Sequence, residues 1–133
     1  MPGNNSATSP VKVQPKMTIT DVTVSEPTGV FPVAGGPKTV FAFFVVTLSR
    51  ASAQTITIDY ATADDTATAG MDYTATSGQL SFAPGETQKN LMVTVTSDGI
   101  VDVVEPNETY FVNLTNPVNA TLVDAQGLGT ILE

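Results

Sequence analysis

Short apolar runs with a period of two, each closed by Gly, Pro, Asn or Asp, recur along this chain of 133 residues. An extended strand sends successive side chains to opposite faces, whereas a helix repeats every 3.6 residues. No window carries a convincing helical period, and the runs fall at residues 17–25, 40–48, 55–61, 79–82, 90–96, 109–114 and 125–132. Val, Ile and Thr supply much of them, and these residues suit a pleated, half-buried surface. About seven strands joined by short turns, with no helix available for crossovers, predict an all-β fold closed as an antiparallel β-sandwich, with an open barrel as the alternative.

Individual runs sharpen this expectation. In 17–25, Met17 and Ile19 share one face and Val22 and Val24 the other, which predicts a bulge or a switch between sheets near Asp21. Ile56, Ile58 and Tyr60 alternate with Thr55, Thr57 and Asp59, while Leu91, Val93 and Val95, then Tyr110, Val112 and Leu114, mark core faces further on. The turn Ala83, Pro84, Gly85, Glu86 pairs a residue with fixed φ with one that tolerates a positive φ. In 40–48, Val40, Ala42, Phe44, Val46 and Leu48 can face the core, which leaves Phe41, Phe43 and Val45 on the other side. That face is either covered by another part of the chain, the reading favoured here, or a contact surface for a neighbour. Residues 1–16, polar and without periodicity, read as a flexible leader, a linker or an extra strand, and residues 17–133 as the domain.

The composition excludes much. Without Cys or His there is no Cys/His zinc site, thiol nucleophile, Ser-His-Asp triad or imidazole acid-base catalyst. The net charge is −8, and from residue 51 onward Lys89 is the lone base among eleven acids. Such a field repels phosphate backbones and attracts cations, so nucleic acid is an unsuitable partner. No apolar stretch is long enough to insert in a membrane. The polar start and the stop at Glu133 suggest a piece of a longer protein. Paired carboxylates can hydrolyse glycosides, but a chain without Trp and without glycine-rich nucleotide loops reads as no enzyme.

Five segments in order resemble the Calx-beta domain, a module of sodium/calcium exchangers, integrin β4 and bacterial surface proteins. They are VTVSE at 22–26, FVVTLS at 44–49, IDYATADDTATAGMDYTATSGQLSFAPGETQK at 58–89, VEPNETYFVNLTNP at 104–117 and GLGTIL at 127–132. The resemblance implies an immunoglobulin-like sandwich with calcium (Ca2+) held by loop carboxylates at one end. Matching positions are Glu26 at the end of the first run, Asp72 in the turn 70–73, and Asp98, Asp102, Glu105 and Glu108 between the last two long strands. Calcium takes six to eight oxygen ligands at roughly 2.3–2.6 Å, and hard oxygens are all that this chain offers. Clustered carboxylates without a cation repel one another, so the unloaded loops are expected to be loose. The chain departs from the family twice: Val101 stands where an Asp usually precedes the Glu matching Glu105, and only Glu133 follows the last strand.

Other groups read more plainly. Asp64, Asp65 and Asp124 are expected as turn formers, Asp59 as a solvated side chain, and Tyr60 and Tyr73 as packing residues with satisfied hydroxyls. Asn4, Asn107, Asn113 and Asn119 begin glycosylation triplets that arise readily by chance. By resemblance, the function expected is that of a calcium-binding module in an extracellular or cell-surface protein, rigidifying its domain junctions. The alternative is a structural or adhesive subunit that assembles through terminal strands or the apolar face. Partners are then neighbouring domains of a parent protein or other copies of the chain.

Overall fold

Period-two alternation becomes two facing sheets in the computed structural model, which describes residues 14–25, 39–96 and 106–132. Nine strands occur among these residues: β1 (Lys16–Ile19), β2 (Val22–Ser25), β3 (Thr39–Leu48), β4 (Ile56–Asp64), β5 (Ser77–Phe82), β6 (Gln88–Thr96), β7 (Glu108–Val118), β8 (Thr121–Leu122) and β9 (Gln126–Leu132). One sheet has the order β2-β9-β7-β4-β5 and the other β6-β3-β1-β8. The sandwich is confirmed. Most pairings are antiparallel, but β9 runs parallel to β2 and β1 parallel to β8.

The core is the inward half of each alternation. Ala42, Phe44, Val46 and Leu48 of β3 are buried against Ile56 and Ile58 of β4, Leu91, Val93 and Val95 of β6, and Tyr110, Val112 and Leu114 of β7. The phase change near Asp21 is a switch of sheets, with β1 in one and β2 in the other. Asp21 secures the crossover, its Oδ1 accepting the Leu128 N–H at 2.9 Å. Gly85 has φ 92°, and the Glu86 N–H donates to Ala83 O at 2.9 Å, so the expected tight turn forms.

One expectation changes. Strands β4 and β7 continue past their apolar runs into Thr62, Ala63 and Asp64 and into Thr115, Asn116 and Pro117, because they pair with each other along most of their length. Their register shifts between Thr57 and Asp59, where Asn116 adopts φ 54° and its amide donates to Asp59 Oδ2. Among the described residues nothing covers the outer face of β3, where internal cover is the reading favoured from sequence. Phe41 and Phe43 are 48% and 52% exposed, and Met92, opposite Phe43, is 47% exposed.

Candidate functional site

Strand direction decides which loops can meet. Ser25, the last residue of β2, pairs with Leu132 of β9, whose Ile131 pairs with Glu108, the first residue of β7. Asp64, which ends β4, pairs with Tyr110, and Thr39, which begins β3, pairs with Thr96, which ends β6. One end of the sandwich therefore carries the β2–β3, β4–β5 and β6–β7 connections. Of the expected ligands, Asp72 and Glu108 are described and stand at this end. Glu26, Asp98, Asp102 and Glu105 lie outside the described residues, in the chain after Ser25 and between Thr96 and Pro106.

The β4–β5 connection is stitched to the strands around it. Half-buried Asp72 accepts the Thr68 N–H on Oδ2 at 2.8 Å, while its own carbonyl accepts the Thr96 N–H at 3.0 Å. Thr96 Oγ1 donates to Met71 O at 3.1 Å, and the Thr74 N–H to Thr94 O at 2.8 Å. These bonds fasten the loop along the outer edge of β6. On its other side, Thr109 Oγ1 donates to Asp65 Oδ2 at 2.5 Å, the Thr109 N–H to Thr66 Oγ1 at 2.7 Å, and the Ala67 N–H to Thr109 O at 2.8 Å. The β4–β5 loop is thus tied by hydrogen bonds to β6 on one side and to β7 on the other.

Asp64 closes the loop on itself. Its Oδ1 accepts the Tyr73 hydroxyl at 2.5 Å and the Ala69 N–H at 2.8 Å. The hydroxyl, then the amide, hold the carboxyl below its ordinary pKa, because both donate to the charged form. Burial first, and the Asp64 carboxylate second, push the Tyr73 phenol upward, so it stays a donor. The Tyr73 ring stacks on Tyr110 with centroids 4.6 Å apart, and Tyr110 meets Phe44 edge-on at 6.0 Å. Tyr110 lies over Gly129, its partner across the strands, where any Cβ would run into the ring.

Sequence reasoning placed Asp64 in a turn and gave Tyr73 a satisfied hydroxyl; the bond joining them was not read. The signal available was a carboxylate and a phenol at the two ends of one polar turn. Asp65 reaches across to β7, where only its turn role was expected. Asp124 does form a turn, accepting the Gln126 N–H, and Asp59 binds the Gln79 and Asn116 amides at the surface. Among the described residues no three acidic side chains converge on one point. An ion at this end would draw on Asp72 and Glu108 together with acids of the flanking connections, and an all-oxygen donor set fits a hard cation.

Comparisons with known proteins agree with this architecture. The Calx-beta domain model matches residues 35–130, well over half of the chain. Sodium/calcium exchanger 2 of Mus musculus is 43% identical over 74 residues, which are 56% of this chain and 7% of that protein. Sodium/calcium exchanger 1 of Rattus norvegicus is 39% identical over 74 residues, with the same shares. The chain thus spans a small fraction of these relatives' length. The apo-form Calx CBD1 domain superposes with a TM-score of 0.67 at 27% identity, covering 90% of this chain and 96% of that one. The calcium binding domain CBD12 of CALX1.1 gives 0.68 at 26% identity, covering 88% and 45%. On the extent of the family match and the shared sandwich, this chain belongs to the Calx-beta domain family.

Proposed function

We propose that this domain is a calcium-binding structural module of a larger protein, with the ion held by Glu26, Asp72, Asp98, Asp102, Glu105 and Glu108. The observation that carries this reading is the shared end of the sandwich: Ser25, Asp64, Thr96 and Glu108 border the three connections, which hold five of the six acids, and Glu108 itself begins β7. Support also comes from a structural neighbour described as a calcium binding domain. Bound there, a divalent cation would offset repulsion among the carboxylates and tie the connections together, stiffening the junction with an adjoining domain. Neighbours that contain two such domains in tandem fit a junction role. Isothermal titration with calcium should give saturable heat that is lost in the Glu26→Ala/Asp72→Ala double variant. No heat from the unaltered protein would end the proposal.

Relatives that are sodium/calcium exchangers lend no support to the extracellular or cell-surface placement expected from the resemblance. No described helix is long and apolar enough to cross a membrane.

A second reading, contact with a neighbouring domain or another copy, is favoured by exposed Phe41, Phe43 and Met92. Assembly through terminal strands has less behind it, because β1 lies between β3 and β8, and β9 between β7 and β2. Sedimentation of Phe41→Ser/Phe43→Ser beside the unaltered protein tests the apolar face: a monomer in both removes self-association.

A further inference from the structure

Asp64 sits among the acids of the ligand-bearing end, yet its bonds set it apart. One of its oxygens already serves two donors, the Tyr73 hydroxyl and the Ala69 N–H. Those donors lie on either side of Asp72 within the same loop, and the Gly70 N–H donates to Tyr73 O at 2.7 Å, drawing the two arms together. Tyr73 is itself immobilised, its ring wholly buried and stacked on Tyr110. The loop closed in this way fastens to β6 at Thr94 and Thr96 and to β7 at Thr109. These are the strand ends that flank residues 97–105, which hold three of the six proposed ligands.

We propose that Asp64 and Tyr73 form a positioning pair: their bond, anchored in the aromatic core, holds Asp72 and the facing ends of β6 and β7 in the arrangement that calcium requires. This rests on the calcium reading and assigns Asp64 a role outside the coordination sphere. Groups that orient ligands without touching the ion hold the donors in place before it arrives, so less order must be imposed on binding. The pair ties the site to the core, since tilting Tyr73 would disturb its stack on Tyr110 as well as the loop. Asp65 has a lesser part, because Thr109 keeps its backbone bonds to Thr66 and Ala67 without that carboxylate.

The test uses Tyr73→Phe, which removes the hydroxyl and keeps the stacked ring, and Asp64→Asn, which keeps an acceptor oxygen and removes the charge. Calcium titration is read beside hydrogen exchange at the Thr68 and Ala69 amides. Tyr73→Phe is expected to weaken calcium binding by about 10- to 100-fold at unchanged stoichiometry, with faster exchange at Ala69. Asp64→Asn should lose less than Tyr73→Phe, because its amide oxygen can still accept both bonds. Leu114→Ala, a core change away from this end, should lower the melting temperature at least as far and leave the affinity unaltered. Unchanged affinity and unchanged Ala69 protection in Tyr73→Phe would overturn the pairing, as would an equal loss of affinity in Leu114→Ala. If the unaltered protein binds no calcium, the functional reading fails instead. The exchange rates then still report whether the hydroxyl closes the loop.

Discussion

The two ends of the sandwich solve the same problem of reversing the chain in opposite ways. At one end the connections 49–55, 83–87 and 119–120 are short. Turn chemistry sets them: Gly85 at φ 92° and Asn119 at φ 64° provide the positive angles, and Glu86 Oε1 accepts the Ala83 N–H at 2.7 Å. At the other end the segments between strands, 26–38, 65–76 and 97–107, each exceed ten residues and hold six of the thirteen acids. Long connections are unusual in a small domain unless they do something. The one described in full, 65–76, also turns on a glycine of positive φ, Gly70 at 92°, but adds carboxylates, threonine hydroxyls and a buried tyrosine that tie it to the strands around it. One end is thus built for economy of chain, the other for holding polar groups in fixed positions.

Breaking the aromatic base of the long-loop end should have the largest effect. Tyr110→Ala removes the ring that supports Tyr73 and Phe44 and should cost about 3–5 kcal/mol in urea unfolding. Gly129→Ala forces a methyl group into the same ring from below and should cost about 1–3 kcal/mol. At the short-turn end, Gly85→Ala strains a positive φ for about 1–2 kcal/mol and should leave calcium binding untouched, which separates the two ends by function. The buried Tyr110 hydroxyl has no hydrogen-bond partner among the described residues, and burial pushes its pKa up to about 12. Tyr110→Phe should therefore be neutral or stabilising by up to about 1 kcal/mol, whereas Tyr73→Phe destabilises.

Acid gives the smallest contrast. Asp64 is lowered by the Tyr73 hydroxyl and the Ala69 amide, and Glu86 by the Ala83 amide and then Lys89. A lowered folded pKa means that the stabilisation is complete above the ordinary carboxylate range and is lost as pH falls through the folded value. Melting temperature should drop on acidification below about pH 4, and Asp64→Asn and Glu86→Gln should each flatten that drop slightly.

Most of the fold was legible because burial on one face imposes a period of two, as in Leu91, Val93 and Val95 or Tyr110, Val112 and Leu114. The sheet switch could be read because Ile19 and Val22 fall out of phase. The polar extensions of β4 and β7 could not, since pairing between neighbours, not side-chain pattern, carries Thr62 to Asp64 into the sheet. Nor could the parallel pairing of β9 with β2, which depends on where the chain goes between distant segments. In the candidate site, Asp72 was found by its turn and by family likeness. The Asp64–Tyr73 bond escaped because a solvated turn carboxylate and one joined to a buried phenol look alike in sequence.

The central claim is the proposal that calcium binds at the end of the sandwich bordered by Ser25, Asp64, Thr96 and Glu108. Thermal unfolding followed in calcium and in chelator, with the Glu26→Ala/Asp72→Ala variant alongside, tests it most directly. Calcium at a hundredfold excess over its dissociation constant should stabilise the unaltered protein by about 2.7 kcal/mol and leave the double variant's transition where chelator puts it. Coincident transitions with and without calcium in the unaltered protein would contradict it.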